Sequence, residues 1–116
     1  MSYSGSCHCG TVAFTVDADL PNEATSCNCS HCRRKGFLLT FVPIEALDVE
    51  SGEENLIAYT FNKHEIEHLF CEECGCQPFG VGIGPNGEEL AAINLRCVPE
   101  ADLDLLTVLK VDGASL

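Results

Sequence analysis

The sequence predicts a mainly β domain of short strands built around thiolate-held metal. Three observations carry that prediction. Short apolar runs alternate with turn signals along the whole chain. No stretch keeps helical periodicity for more than a turn or so. Nine cysteines, an unusual load for 116 residues, fall mostly into tight groups.

In chain order, the apolar runs place strands at Thr11–Val16, Phe37–Val42, Leu56–Phe61, Glu65–Phe70, Gln77–Ile83 and Leu90–Leu95, with a weaker one at Thr107–Val111. In the fourth, Ile66, His68 and Phe70 alternate with Glu65, Glu67 and Leu69, close to a period of two. Gly84-Pro85-Asn86-Gly87 is a hairpin signal between two of these strands. Helical turns are expected only at Ser30–Arg34, Ile44–Leu47 and Asp102–Leu106. With no linker, repeat or low-complexity stretch, residues 1–116 are expected to form one domain. At 46% apolar residues the core is modest, and a metal staple would help a chain of this size. Phe37, Phe41, Phe61, Phe70 and Phe79 are its candidate aromatic residues.

A formal net charge of −12 argues against nucleic acid and anionic membranes as partners. No apolar run is long enough to span a bilayer. The opening MSYSGSCHCG has neither the basic nor the apolar region of an export signal, so the expected compartment is the cytoplasm. An odd cysteine count in that setting favours metal thiolates over a disulfide framework.

The spacing argues the same way. Cys71-x-x-Cys74-Gly75 reads as a knuckle, a tight turn whose backbone N–H groups point at a sulfur. Cys7-x-Cys9-Gly10 offers a similar grip. Two such pairs make one closed site of four thiolates, which suits redox-inert zinc, with an iron–sulfur centre as the rival. Cys27-x-Cys29-x-x-Cys32 offers three thiolates from one loop. Three ligands leave a tetrahedral position open, the mark of a catalytic zinc, unless His31, Cys76 or Cys97 closes it. Half of the Lys and Arg residues, Arg33, Arg34 and Lys35, follow this loop directly. They can be a solvated turn, offset the charge of thiolate-rich zinc, or hold substrate carboxylates. His31 is expected at the surface, with a ligand or proton-shuttle role as alternatives. His64 and His68 are expected to be packed or exposed, and Asn94 and Arg96, at a strand end, are candidates to border a pocket.

The ordered pattern C-x-C-G, C-x-C-x-x-C-R, C-x-x-C-G resembles the glutathione-dependent formaldehyde-activating enzymes. The resemblance also takes in Phe37–Pro43, Tyr59–His64 with Leu69-Phe70-Cys71, and Asn94-Leu95-Arg96-Cys97 before Asp102-Leu103-Asp104. It implies a zinc-binding β-tent of short antiparallel strands. By position, Cys7, Cys9, Cys71 and Cys74 match the structural zinc ligands. Cys27, Cys29 and Cys32 match the ligands of a second, labile zinc near which glutathione acts. Cys76 and Cys97 stand outside those sets. The implied reaction joins glutathione and formaldehyde as S-(hydroxymethyl)glutathione. The expected function is therefore zinc-dependent carbon–sulfur lyase chemistry on a thiol–aldehyde adduct, with Cys27, Cys29 and Cys32 catalytic and Arg33 and Arg34 binding substrate. The alternatives are a non-catalytic zinc module that binds or chaperones a protein, and a thiol redox or metal sensor.

Overall fold

A computed structural model describes residues 1–61 and 66–115. It is mainly β, with two sheets and one short helix. The strands are β1 (Tyr3–Ser6), β2 (Ala13–Val16), β3 (Glu23–Cys27), β4 (Leu39–Pro43), β5 (Leu47–Ser51), β6 (Leu56–Tyr59), β7 (Glu67–Cys71), β8 (Phe79–Ile83), β9 (Glu89–Asn94) and β10 (Thr107–Val111). The helix, α1, is Ser30–Lys35. A small sheet runs β1-β2-β5, and a larger one runs β10-β3-β4-β9-β8-β7-β6.

The two sheets close on one another through alternating strand faces. Phe14 and Val16 of β2 meet Phe79 of β8 and Ile93 of β9 in a core completed by Tyr3, Val12, Leu95 and Val98. The rings of Phe14 and Phe79 pack edge to face at 5.5 Å between centroids, the geometry that aromatic quadrupoles favour. Each such side chain contributes roughly 1.5–3 kcal/mol by leaving water. A second, smaller apolar cluster joins Cys32, Phe37 and Leu39, with Cys27, Cys29 and Ala92 packed on it. The core is thus divided, and one part lies directly beneath the cysteine triplet.

The expected strands form, with shifted ends. The apolar run at 11–16 pairs only from Ala13, because Cys7–Val12 is spent on a loop. The hairpin at Gly84–Gly87 joins β8 to β9, closed by Gly84 N–H to the Glu88 carbonyl at 2.7 Å. Of the strand expected over 65–70, Glu65 lies outside the described residues, as does His64.

Three strands escape the sequence pattern: β1, β3 and β5. β1 (YSGS) and β3 (EATSC) are polar, and their pairing comes from neighbours rather than from their own apolar content. The strands pair antiparallel as expected, except that β10 pairs with β3 in parallel, Thr107 opposite Glu23 through Val111 opposite Cys27. The helical turn expected over Asp102–Leu106 is a plain turn, closed by Leu105 N–H to the Asp102 carbonyl at 3.1 Å. Ile44–Ala46 is a 3-10 turn, close to expectation. Phe41, expected in the core, is 52% exposed on β4.

Candidate metal centres

Two groups of cysteines converge. The sulfurs of Cys7, Cys9, Cys71 and Cys74 lie within 4.8 Å of one another, and so do those of Cys27, Cys29 and Cys32. The first group is assembled across the fold. Cys7 follows β1, and Cys71 ends β7. Each pair sits on a tight turn. Gly10 N–H donates to the Cys7 carbonyl, and Gly75 N–H to the Cys71 carbonyl, at 3.2 and 2.8 Å. Gly10 and Gly75 both have φ near +80°, at 81° and 76°, a conformation glycine alone adopts freely.

Zinc bonded to four sulfurs at about 2.3 Å would set them about 3.8 Å apart. Cys7 to Cys9 is 3.7 Å and Cys9 to Cys71 is 3.8 Å. Backbone N–H groups point at the sulfurs, Val12 to Cys7 at 3.3 Å and Glu73 to Cys71 at 3.4 Å. Backbone hydrogen bonds bring the Cys74 thiol down to about 6. The Thr11 hydroxyl, 3.1 Å from Cys9 Sγ, lowers that thiol too. The donor set fits a four-thiolate ion.

The second group is local. Cys27 ends β3, Cys29 caps α1, and Cys32 lies within that helix. Cys29 N–H donates to Cys27 Sγ at 3.4 Å and Cys32 N–H to Cys29 Sγ at 3.3 Å. Burial pushes the Cys32 thiol far up, helped by its two sulfur neighbours. Burial also works to raise Cys29, but hydrogen bonds from the Cys32 backbone outweigh it, and the net shift is downward. Among the described residues no fourth Cys, His, Asp or Glu joins this group. The candidates for closure lie elsewhere. Cys76 and Cys97 face each other, Sγ to Sγ 3.5 Å. Burial, then the Cys76 neighbour, raises the Cys97 thiol to about 12.

His31 is not the solvated histidine expected. Its ring packs against His68 at 4.1 Å, Phe61 at 5.4 Å, Tyr59 at 5.6 Å and Phe37 at 5.7 Å. Its Nδ1 is buried without a hydrogen-bond partner. Burial, with the nearby Lys35 charge, lowers its pKa. His68 is packed, as expected, and burial, then His31 and Lys35, bring it down to about 4. Gln77 Nε2 lies 3.5 Å from His68 Nδ1.

The basic triplet is divided by the structure. Arg33 lines a cavity of about 400 Å³ with Cys27, Asn28, Cys32 and Lys110. Arg34 Nη1 donates to the Ser30 carbonyl at 2.9 Å, within its own helix. Lys35 is exposed, and its charge lowers the pKa of both histidines. Asn94 is buried and donates to the Gln77 carbonyl at 2.9 Å, while Arg96 Nε donates to the Gly36 carbonyl at 2.8 Å just past α1. Both serve as scaffold for the site.

A feature the sequence did not announce completes the site. The segment after β10 lies over the triplet loop. Asn28 N–H donates to the Val111 carbonyl, Asn28 Nδ2 to Asp112 Oδ1, and Ala114 N–H to Asn28 Oδ1, at 3.1, 3.0 and 3.0 Å. Gly113 presses so close that a Cβ there would overlap Cys27 Sγ. The only sequence signal was the Asp112-Gly113 pair after an apolar run.

A second cavity, of about 410 Å³, opens on the other side of the triplet, walled by Phe37, Leu39, Phe41, Phe61, Ile66 and Ala92. The model of the family described as glutathione-dependent formaldehyde-activating enzyme matches residues 2–104. The fold is similar to that of a crystal structure of a Rhodobacter sphaeroides protein, at 29% identity and a TM-score of 0.77, covering 91% of this chain and 99% of that one.

Proposed function

The chain belongs to the glutathione-dependent formaldehyde-activating enzyme family, and from that premise we propose that it catalyses carbon–sulfur chemistry on a thiol–aldehyde adduct at a zinc held by Cys27, Cys29 and Cys32. One observation carries the proposal: three thiols from a single short loop converge beside an open cavity, with no fourth ligand among the described residues. In the same reading Cys7, Cys9, Cys71 and Cys74 hold a structural zinc, since their donor set is closed at four.

Bound at the triplet, zinc would supply a positive centre that makes a thiol or water nucleophilic near neutral pH. The chain's own residues do the rest. Backbone N–H groups of Cys29 and Cys32 orient the ligand sulfurs. Arg33 and Lys110, exposed beside Cys27, hold the carboxylates of a thiol such as glutathione. Arg34 assists from the next helical position while bracing Ser30. His68 lines the other cavity as a neutral imidazole, whose ring N–H is a donor for a carbonyl or hydroxyl oxygen. In the forward direction the thiol sulfur adds to the aldehyde carbon. The C=O π pair moves onto oxygen, and the thiol proton ends there.

The test is adduct formation from glutathione and formaldehyde, followed by NMR with the zinc-loaded protein. A rate above the uncatalysed one, abolished in folded Cys29→Ser, is the expected outcome. A wild-type protein that never exceeds the background rate overturns the proposal. A second reading, a zinc module that docks a protein partner, draws on β10, exposed at every residue, with Val108, Leu109 and Val111 each above 40% exposed. Catalysis that depends on the triplet decides between the two.

A further inference from the structure

Two cavities of nearly equal size, about 400 and 410 Å³, meet at the triplet, and Cys27 and Cys32 line both. Their chemistry is opposite. One carries Arg33, Lys110 and Asn28, with a single acid, Asp112, whose carboxylate accepts from Asn28 and Ser115. The other carries Phe37, Phe41 and Phe61 with Leu39, Ile66 and Ala92. Among the described residues its polar lining is His68 and Gln77 beside the cysteines, and no Lys or Arg lines it.

Formaldehyde is a single carbon and oxygen and would leave this apolar chamber empty. Glutathione does not suit it either, since carboxylates lose their hydration against aromatic walls without gaining a partner. Among the described residues the chamber is also not sealed. Phe41 is 52% and Ile66 51% exposed, although the core beneath them is closed. Large apolar side chains left half open around a concavity of several hundred Å³ mark a site for an apolar ligand.

We propose that the aldehyde partner carries an apolar group of aromatic size, seated among Phe37, Phe41 and Phe61, while the carboxylates of the thiol lie against Arg33 and Lys110. This deepens the adduct chemistry proposed above and rests on it for the reaction itself. The step is the same addition. The sulfur–carbon bond forms, the carbonyl π bond breaks, the thiol proton passes to the new hydroxyl, and nothing is oxidised or reduced. His68, polar in this chamber with Gln77 beside it, packs at 4.1 Å on His31 of the triplet loop, within reach of where that hydroxyl would form.

The deciding experiment separates binding from turnover. Calorimetry on the zinc-loaded protein compares two inert thioethers, S-(2-phenylethyl)glutathione and S-methylglutathione. The phenylethyl compound is expected to bind about tenfold tighter or better, and Phe41→Ala should carry its affinity most of the way down to that of the methyl compound. Equal affinity for the two, or a preference untouched by Phe41→Ala, overturns the proposal. In parallel, phenylacetaldehyde and formaldehyde are compared as partners of glutathione, each rate corrected for its uncatalysed reaction. A higher kcat/KM for phenylacetaldehyde supports the proposal. Equal or better use of formaldehyde overturns it and leaves the carbon–sulfur reading standing. Tighter thioether binding without turnover of either aldehyde supports the chamber and overturns the catalytic reading instead.

Discussion

The two cysteine groups use the same atoms for different structural ends. The four-cysteine group draws its ligands from opposite ends of 62 residues of chain, as Cys9 meeting Cys71 shows. Its inner members, Cys7 and Cys71, are 2% and 0% exposed. It brings a turn of the small sheet against a turn of the large one. The triplet comes from six consecutive residues, rests on its own minor apolar cluster and faces two cavities. Ligands gathered from afar make a metal part of the fold, because the metal closes loops that chain entropy would otherwise open. Ligands gathered from one loop leave the fold nearly indifferent to the metal and the metal free to meet a substrate.

That contrast can be broken most directly at the staple. Cys71→Ser should cost several kcal/mol or abolish folding, as loss of a structural zinc ligand does in small domains. Thermal unfolding with and without a chelator reads it. Cys29→Ser should leave the melting temperature within a few degrees of the parent while removing a hundredfold or more of any turnover. If Cys29→Ser unfolds the protein as Cys71→Ser does, the division between the two sites is wrong.

The pocket side of the triplet has its own pH signature. His68 is held neutral in the fold down to about 4, whereas in the unfolded chain it takes a proton near pH 6.5. Its contribution is complete above 6.5 and is lost as pH falls toward 4, because the unfolded state binds the proton first. With the cavity partly open, the loss is expected to be about 2 kcal/mol. The difference in urea midpoint between pH 7 and pH 5 should shrink in His68→Gln. An identical slope in both proteins removes His68 as its source.

Smaller effects sharpen the comparison further. Gly113→Ala puts a methyl group onto Cys27 Sγ, so the triplet's metal affinity should fall about tenfold with the staple undisturbed. Competition with a chromophoric chelator would show one ion released early and one late. Arg33→Ala should weaken binding of a dicarboxylate thiol by a few-fold, an effect that fades with salt. A salt-independent loss would point to packing instead.

Much of this was legible in the sequence because cysteine spacing is a local signal. The Cys71-x-x-Cys74-Gly75 turn could be read as a knuckle before any strand was placed. Apolar runs such as Gln77–Ile83 gave the large sheet for the same reason. What stayed hidden was set by partners distant in sequence. β1 and β3 look like loops alone and become strands only beside β2 and β10. His31 looked exposed because nothing local foretells that Phe37, Tyr59, Phe61 and His68 gather around it. Phe41 counted as core by composition, yet its strand turns it into a cavity.

The clasp of Asn28 by Asp112 and its neighbours has a consequence for how the protein is made. Its two halves are 84 residues apart. During synthesis the staple's last ligand, Cys74, emerges well before the residues that cover Cys27. The triplet therefore spends the rest of translation as an uncovered trithiol, open to whichever soft ion or oxidant reaches it first. The order of translation completes the triplet's ligands first, the four-cysteine set second and the clasp last, so the cover over Cys27 is the last part of either site to form.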